Sequence, residues 1–378
     1  MKNYSLNPTN ENALSMFRND TIGRNREIAR FIQLLDAIEG GCSIALNGDW
    51  GSGKTFFVKQ VKLILDYCNP QTHMSNKTRE SLKQIISSFG CDSSESNATV
   101  YYDAWANDNT EDPILSLIYA TIKSNQTDMK EERKIEIANI VSTIVDLLTG
   151  LNTSKFVEQV KKFKGKDLFE AIKEKGNIDQ LVKRFINILI EERGNKLIFF
   201  IDELDRCKPD YAIKMLERIK HYFDDERIIF VFSVNLQQLQ HTIKAYYGAE
   251  FDATRYMDKF FDLRVSLSAI DYDSYFNNCA FFKRTSFFCD HACEDVIRYF
   301  RFTLREIERY IRLVKIAINK KSSYGFFNND TLYILAGTYF VPVAIGLSMK
   351  NLDAYSKYIN GLDPYPIAEL PSHTQNKI

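Results

Sequence analysis

The chain has 378 residues, 45% of them hydrophobic and 26% charged, which suits roughly two or three globular domains and excludes a disordered or fibrous protein. Its 49 basic residues are matched by 49 acidic ones, so no global positive field marks nucleic acid as a standing partner. The 7 cysteines are scattered behind a polar N-terminus without a signal-peptide pattern, which excludes a disulfide scaffold and predicts free thiols in the cytoplasm.

Apolar residues at helical spacing, Ile28, Phe31, Ile32, Leu35 and Ile38 among them, predict a helix over Arg24–Ile38. Ser43-Ile44-Ala45-Leu46-Asn47 is then a short apolar run suited to a buried strand. It leads into Gly48-Asp49-Trp50-Gly51-Ser52-Gly53-Lys54-Thr55, which reads G-x-x-x-x-G-K-[ST], the phosphate-binding loop of nucleoside triphosphatases. A helix through Phe56–Leu65 follows, so the motif sits between strand and helix, as a phosphate loop requires.

The spacing has a physical basis. A phosphate chain needs several donors converging at short range, and Gly48, Gly51 and Gly53 keep side chains out of the way. Successive N–H groups form an anion-binding nest, and the helix opening near Lys54 and Phe56 points its positive dipole end at the same place. Lys54 adds a mobile charge for the β and γ phosphates, and the Thr55 hydroxyl is placed to ligate Mg²⁺. The whole run Gly48–Phe56 is therefore expected at the nucleotide.

Cys68–Asn97 is polar and predicts a connection with one weak helix near Ser81–Ser88. Ala98–Asp103 reads as a second strand. From Asp112 to Glu192 the pattern is helical, with a lysine-rich middle at Lys155–Lys175, and predicts a helical insertion between core strands. Acidic neighbours such as Glu158, Asp167 and Glu170 dilute that lysine run, which reads as a solvated helical face and only weakly as a nucleic-acid surface.

Lys196–Ile201 and Arg227–Val234 are near-continuous apolar runs, the signature of buried parallel strands, with a helix over Tyr211–Phe223 between them. The first ends in Asp202-Glu203, which delivers acidic groups to the carboxyl edge of the sheet beside the phosphates. Asp202 is expected to hold Mg²⁺ and Glu203 to orient the attacking water. The second ends at Asn235, which suits either a hydrogen bond to the γ-phosphate or water, or a cap on the helix Leu236–Ala245. Arg206 is open between a salt-bridge partner and a cation responding to nucleotide state.

Beyond Ala269 the pattern is helical to about Tyr358. Cys279 and Cys289-Asp290-His291-Ala292-Cys293 lack a second matching ligand pair and read as free thiols, not a zinc site. Leu332–Met349 carries no charge, but Pro342, Gly337 and Gly346 interrupt it, so a buried helix or helix pair is expected instead of a membrane span.

Several segments resemble the KAP P-loop NTPases, within the additional-strand group that includes AAA+ and STAND ATPases. Ile201-Asp202-Glu203-Leu204-Asp205-Arg206-Cys207 resembles that family's Walker B motif with its acidic-arginine extension, downstream of the Walker A loop. Tyr102-Asp103-Ala104-Trp105 is similar to its post-loop strand, and Arg255–Phe261 to the segment entering its last core strand, here Asp262–Leu267. Asp20-Thr21-Ile22-Gly23-Arg24 resembles the N-terminal segment that approaches the base, and Thr303–Tyr310 a C-terminal helix whose basic residues face the nucleotide.

The resemblance implies a three-layer αβα core over residues 1–267, with a parallel sheet and the insertion at about 112–192, then a C-terminal helical domain over 268–378. It implies ATP over GTP, places Arg24 and Arg305 at the nucleotide, and points to mobile elements and bacterial anti-phage systems. Family membrane helices are not carried over, because the insertion here is charged.

The expected activity is ATP binding and hydrolysis with Mg²⁺ as a nucleotide-dependent switch or assembly module, with Lys54, Glu203 and Asn235 catalytic. A protein partner or self-assembly goes with it. The alternatives are a non-hydrolysing nucleotide-bound scaffold and a nucleic-acid-associated ATPase.

Overall fold

A computed structural model describes residues 8–90, 93, 95–110, 112–125, 130–149, 178–283, 289–318 and 336–362. The lysine-rich run Lys155–Lys175 lies outside them. Chain packing divides the protein into two units: Arg26–Asp49 with Lys54–Leu267, and Met1–Asn25 with Trp50–Gly53 and Ser268–Ile378.

The first unit is built on a sheet whose strands are β1 (Cys42–Asn47), β2 (Asn97–Asp103), β3 (Lys196–Asp202), β4 (Ile228–Val234) and β5 (Leu263–Ser266), in the order β2-β3-β4-β1-β5. All the neighbouring pairs are parallel. With its flanking helices this is the three-layer αβα core that the resemblance implies, and its strands are the buried parallel ones that the apolar runs predict. Leu197, Phe199 and Ile201 join one buried cluster with Phe230 and Phe232, while Ile198 and Phe200 between them are equally buried on the opposite face.

Helices Pro113–Asn125, Glu131–Thr149 and Ile178–Arg193 contribute Ile114, Leu117, Ile140, Phe185 and Leu189 to that same cluster. The described part of the 112–192 region is therefore helical and anchored in the core, its apolar stripes buried and its charges outside. The helix expected near Ser81–Ser88 runs over Asn76–Phe89, with Ser75 accepting from the Thr78 N–H at its start and Gly90 in the left-handed region at its end. The polar surface of that helix hid its length, because only Leu82, Ile85 and Ile86 are buried.

The second unit is helical: Asn10–Arg18, Tyr272–Asn278, Asp290–Tyr299, Leu304–Ile318, Val341–Lys350 and Leu352–Ile359 are its main elements. Tyr310 donates to the Pro342 carbonyl at 3.1 Å, and Phe302 meets its ring edge to face. Gly346 allows the Val341–Lys350 helix to close on Val296 and Phe300, where a Cβ would lie 2.5 Å from Val296 Cγ1. The uncharged stretch is thus a packed helix in its described part; Leu332–Leu335 lie outside the described residues. Among the described residues no helix is long and apolar enough to cross a membrane.

One carboxyl in this unit is out of place electrostatically. Asp290 is buried with Oδ1 unpartnered among the described residues, and burial, with Glu294 adding to it and His291 opposing, raises its pKa to about 6. A carboxyl whose folded pKa exceeds its unfolded value stabilises the protonated fold, so stability rises as pH falls from above 6 toward 4 through this group. Asp290→Asn is expected to raise the melting temperature at pH 7.5 and to shrink the gain seen on acidifying to pH 5.5, checked by thermal melts at both pH values.

Candidate nucleotide site

The carboxyl ends of the inner strands lie at one level. Asp103 is in register with Asp202, Asp202 with Ser233, and Asn47 with Val234. In a parallel sheet this edge is where loops deliver chemistry.

Lys54 opens the helix Lys54–Cys68 and is buried. Its Nζ donates to the carbonyls of Gly48 at 2.6 Å and Asp49 at 3.1 Å, so the ammonium folds over its own loop. Burial lowers its pKa; Asp205 and Asp202 oppose that, Arg206 reinforces it, and Asp49 opposes it. Lysine and acidic motif therefore share one electrostatic neighbourhood.

Asp202 is only 1% exposed, and its side-chain oxygens accept hydrogen bonds from three donors. Oδ1 accepts from Ser233 Oγ at 2.7 Å and from the Glu203 N–H at 3.1 Å, and Oδ2 accepts from the Tyr101 hydroxyl at 3.0 Å. Burial first, then Asp202, raises the Tyr101 pKa well above the ordinary tyrosine value, so this hydroxyl stays protonated and donating. A carboxylate has about four lone-pair positions, so capacity for a metal or its water is left over.

Glu203 sits at φ 61°, ψ 25°, the left-handed region that a non-glycine residue enters at a cost of about 1 kcal/mol. Strain of this kind persists where the surroundings hold it, and here the Glu203 N–H also reaches the Ser233 carbonyl at 3.3 Å. The Glu203 carboxylate pairs with Arg206 at 3.1 Å, and the guanidinium lies 5.6 Å from the ring of half-exposed Trp105. Arg206 is thus an ion-pair partner of Glu203.

Of the two roles expected of Asn235, the helix cap is present, and its amide reaches the loop. Its Oδ1 accepts from the Gln238 N–H at 3.1 Å and caps the helix Leu236–Tyr247, while Nδ2 donates to Asp49 Oδ1 at 3.3 Å on the loop. The Thr55 hydroxyl has no protein partner among the described residues, which fits a metal ligand. Phe56 is 5% exposed and packs into the core of its helix face, so its side chain serves the fold.

The loop tip Trp50–Gly53 groups with the helical unit. Gly51 and Gly53 have φ of 79° and 94°, conformations that favour glycine. A Cβ on Gly51 would lie 2.8 Å from Thr303 Oγ1 and 3.2 Å from Arg305 Cβ, and one on Gly53 would lie 3.0 Å from Leu304 Cδ1. These glycines therefore make room for neighbouring side chains of the protein itself. Arg305 stands at the start of helix Leu304–Ile318 against the loop tip. Arg24 is buried, and its guanidinium donates to the carbonyls of Ser52 and Ser268.

The sequence reading missed Tyr101 and Ser233, the two hydroxyls that hold Asp202. Ser233 had a signal, being the one polar side chain in the apolar run of β4. Tyr101 had none, since two adjacent tyrosines on β2 look alike until register separates them.

The donors and acceptors present suit a nucleoside triphosphate with a divalent cation: an ammonium, a glycine loop in left-handed turns, a free-standing threonine hydroxyl and a pre-held aspartate. A family model described as the KAP family P-loop domain matches residues 24–319. A search among curated proteins finds no match.

Proposed function

The chain belongs to the KAP P-loop family, and from that premise we propose that it binds and hydrolyses ATP as a nucleotide-dependent switch or assembly module. One observation supports this above the others: Asp205, Asp202 and Asp49 each act electrostatically on Lys54 at the carboxyl ends of β1 and β3.

On this reading the loop amides and Lys54 bind the β and γ phosphates, Lys54 exchanging the Gly48 and Asp49 carbonyls for phosphate oxygens. Thr55 and Asp202 hold Mg²⁺, which when bound neutralises charge on the phosphates. Ser233 and Tyr101 hold the Asp202 carboxylate in place by hydrogen bonds. Glu203 orients the attacking water and polarises it, a task of positioning and charge that phosphoryl transfer mainly asks of a protein. Asn235 links Asp49 to the cap of the next helix, which ties the loop to the end of β4. The family resemblance extends the proposal to a role in anti-phage defence.

The Glu203–Arg206 ion pair favours a second reading, a nucleotide-bound scaffold without turnover, because the carboxylate is engaged by its own chain. Phosphate release from ATP by the purified protein separates the two. Turnover supports the switch, and tight binding with no release over hours supports the scaffold.

A further inference from the structure

Two peptide units of the loop tip are held from outside the loop, by partners in the same packing unit. The Leu304 N–H donates to the Gly51 carbonyl at 3.0 Å, and Arg24 Nη1 donates to the Ser52 carbonyl at 2.7 Å. In a planar trans peptide the C=O and the following N–H point in opposite directions. Holding the Gly51 oxygen therefore turns the Ser52 N–H away from Leu304, and holding the Ser52 oxygen turns the Gly53 N–H away from Arg24. Neither N–H has a partner among the described residues.

Other features favour a fixed arrangement. Leu304 opens a helix whose Thr303 and Glu306 form a reciprocal cap, the Thr303 N–H donating to Glu306 Oε2 at 2.8 Å and the Glu306 N–H to Thr303 Oγ1 at 3.4 Å. That cap leaves the Leu304 N–H for the loop. Arg24 is only 2% exposed and its second terminal nitrogen donates to the Ser268 carbonyl, so its guanidinium is anchored at two main-chain points. The planar fork of arginine meets the two carbonyls from separate terminal nitrogens in a fixed geometry, which the single nitrogen of a lysine does not reproduce.

We propose that Arg24 is a positioning residue for phosphate binding: it fixes the Ser52–Gly53 peptide so that the Gly53 N–H faces the polyphosphate, without itself touching the nucleotide. This rests on the loop being the phosphate site and changes the role expected of Arg24 from a contact near the base to a support behind the loop. Its effect then follows the phosphates and is indifferent to the nucleoside.

The test is displacement of a fluorescent ATP analogue by ATP and by tripolyphosphate, with Mg²⁺ present, from wild type, Arg24→Ala, Arg24→Lys and Asn25→Ala. Asn25 is the control: it is buried next door and donates to the Phe17 carbonyl at 2.7 Å, so its loss disturbs the same segment without touching the loop. Arg24→Ala is expected to weaken ATP and tripolyphosphate equally, by about tenfold or more, the usual worth of a charge-assisted hydrogen bond. Arg24→Lys recovers part of that loss, and Asn25→Ala lowers the melting temperature while both affinities stay at the wild-type value.

Wild-type affinities in both Arg24 variants overturn the proposal. So does a loss confined to ATP, which would put Arg24 on the nucleoside. The wild-type titration alone decides whether the loop is a phosphate site, so failure of that reading is seen separately.

Discussion

Glu203→Gln lowers ATP turnover by about 10²-fold or more while ATP affinity stays within about threefold of wild type. The substitution keeps shape and left-handed backbone but removes the negative charge that polarises water. Because Asp202 and Lys54 stay in place, ground-state binding is retained, and a loss in turnover without a loss in affinity is the pattern of an interaction made in the transition state. Phosphate release and an equilibrium titration on the same preparations check it. Equal turnover in variant and wild type would remove Glu203 from the chemistry. The ion pair with Arg206 sharpens the argument, since neutral glutamine also releases the guanidinium now held at 3.1 Å.

Lys54→Ala has the largest expected effect on binding. Its ammonium is buried, its pKa lowered by that burial, and its hydrogen bonds among the described residues go to the Gly48 and Asp49 carbonyls. Exchanging those neutral acceptors for phosphate oxygens is strongly favourable in a low-dielectric setting, so removing the charge costs affinity by about 10²-fold, the order of 2–3 kcal/mol for a charged hydrogen bond. Stability of the protein alone should change little, because Asp202 keeps its hydrogen bonds from Ser233 and Tyr101. Calorimetric titration with ATP and Mg²⁺, beside thermal melts without nucleotide, gives both numbers. Undiminished affinity in the variant would remove the loop from phosphate binding.

Much of the fold is readable in the chain. β1, β3 and β4 are apolar runs without alternation, and only strands buried on both faces need that. The loop motif and the Asp202-Glu203 pair were legible because phosphate chemistry restricts residue types at fixed spacing. What stayed hidden depended on conformation. The left-handed Glu203 leaves no mark in composition, since any residue type can be forced there by its neighbours. The ion pair of Glu203 with Arg206, the hydroxyl of Tyr101 on Asp202, and the anchoring of Arg24 at Ser52 and Ser268 join residues brought together by turns and register. Arg24 and Ser268 lie far apart along the chain, and no local pattern could have coupled them.

The central claim is that the loop and the end of β3 form one metal-dependent hydrolytic site. It is tested most directly by binding ATP to the protein in the absence of divalent cation, removing the excess, adding Mg²⁺ and following the bound nucleotide through a single turnover. The account predicts that bound ATP is stable until Mg²⁺ arrives and is then converted to ADP and phosphate in wild type, with Glu203→Gln retaining intact ATP. Recovery of intact ATP from wild type long after Mg²⁺ addition would contradict it.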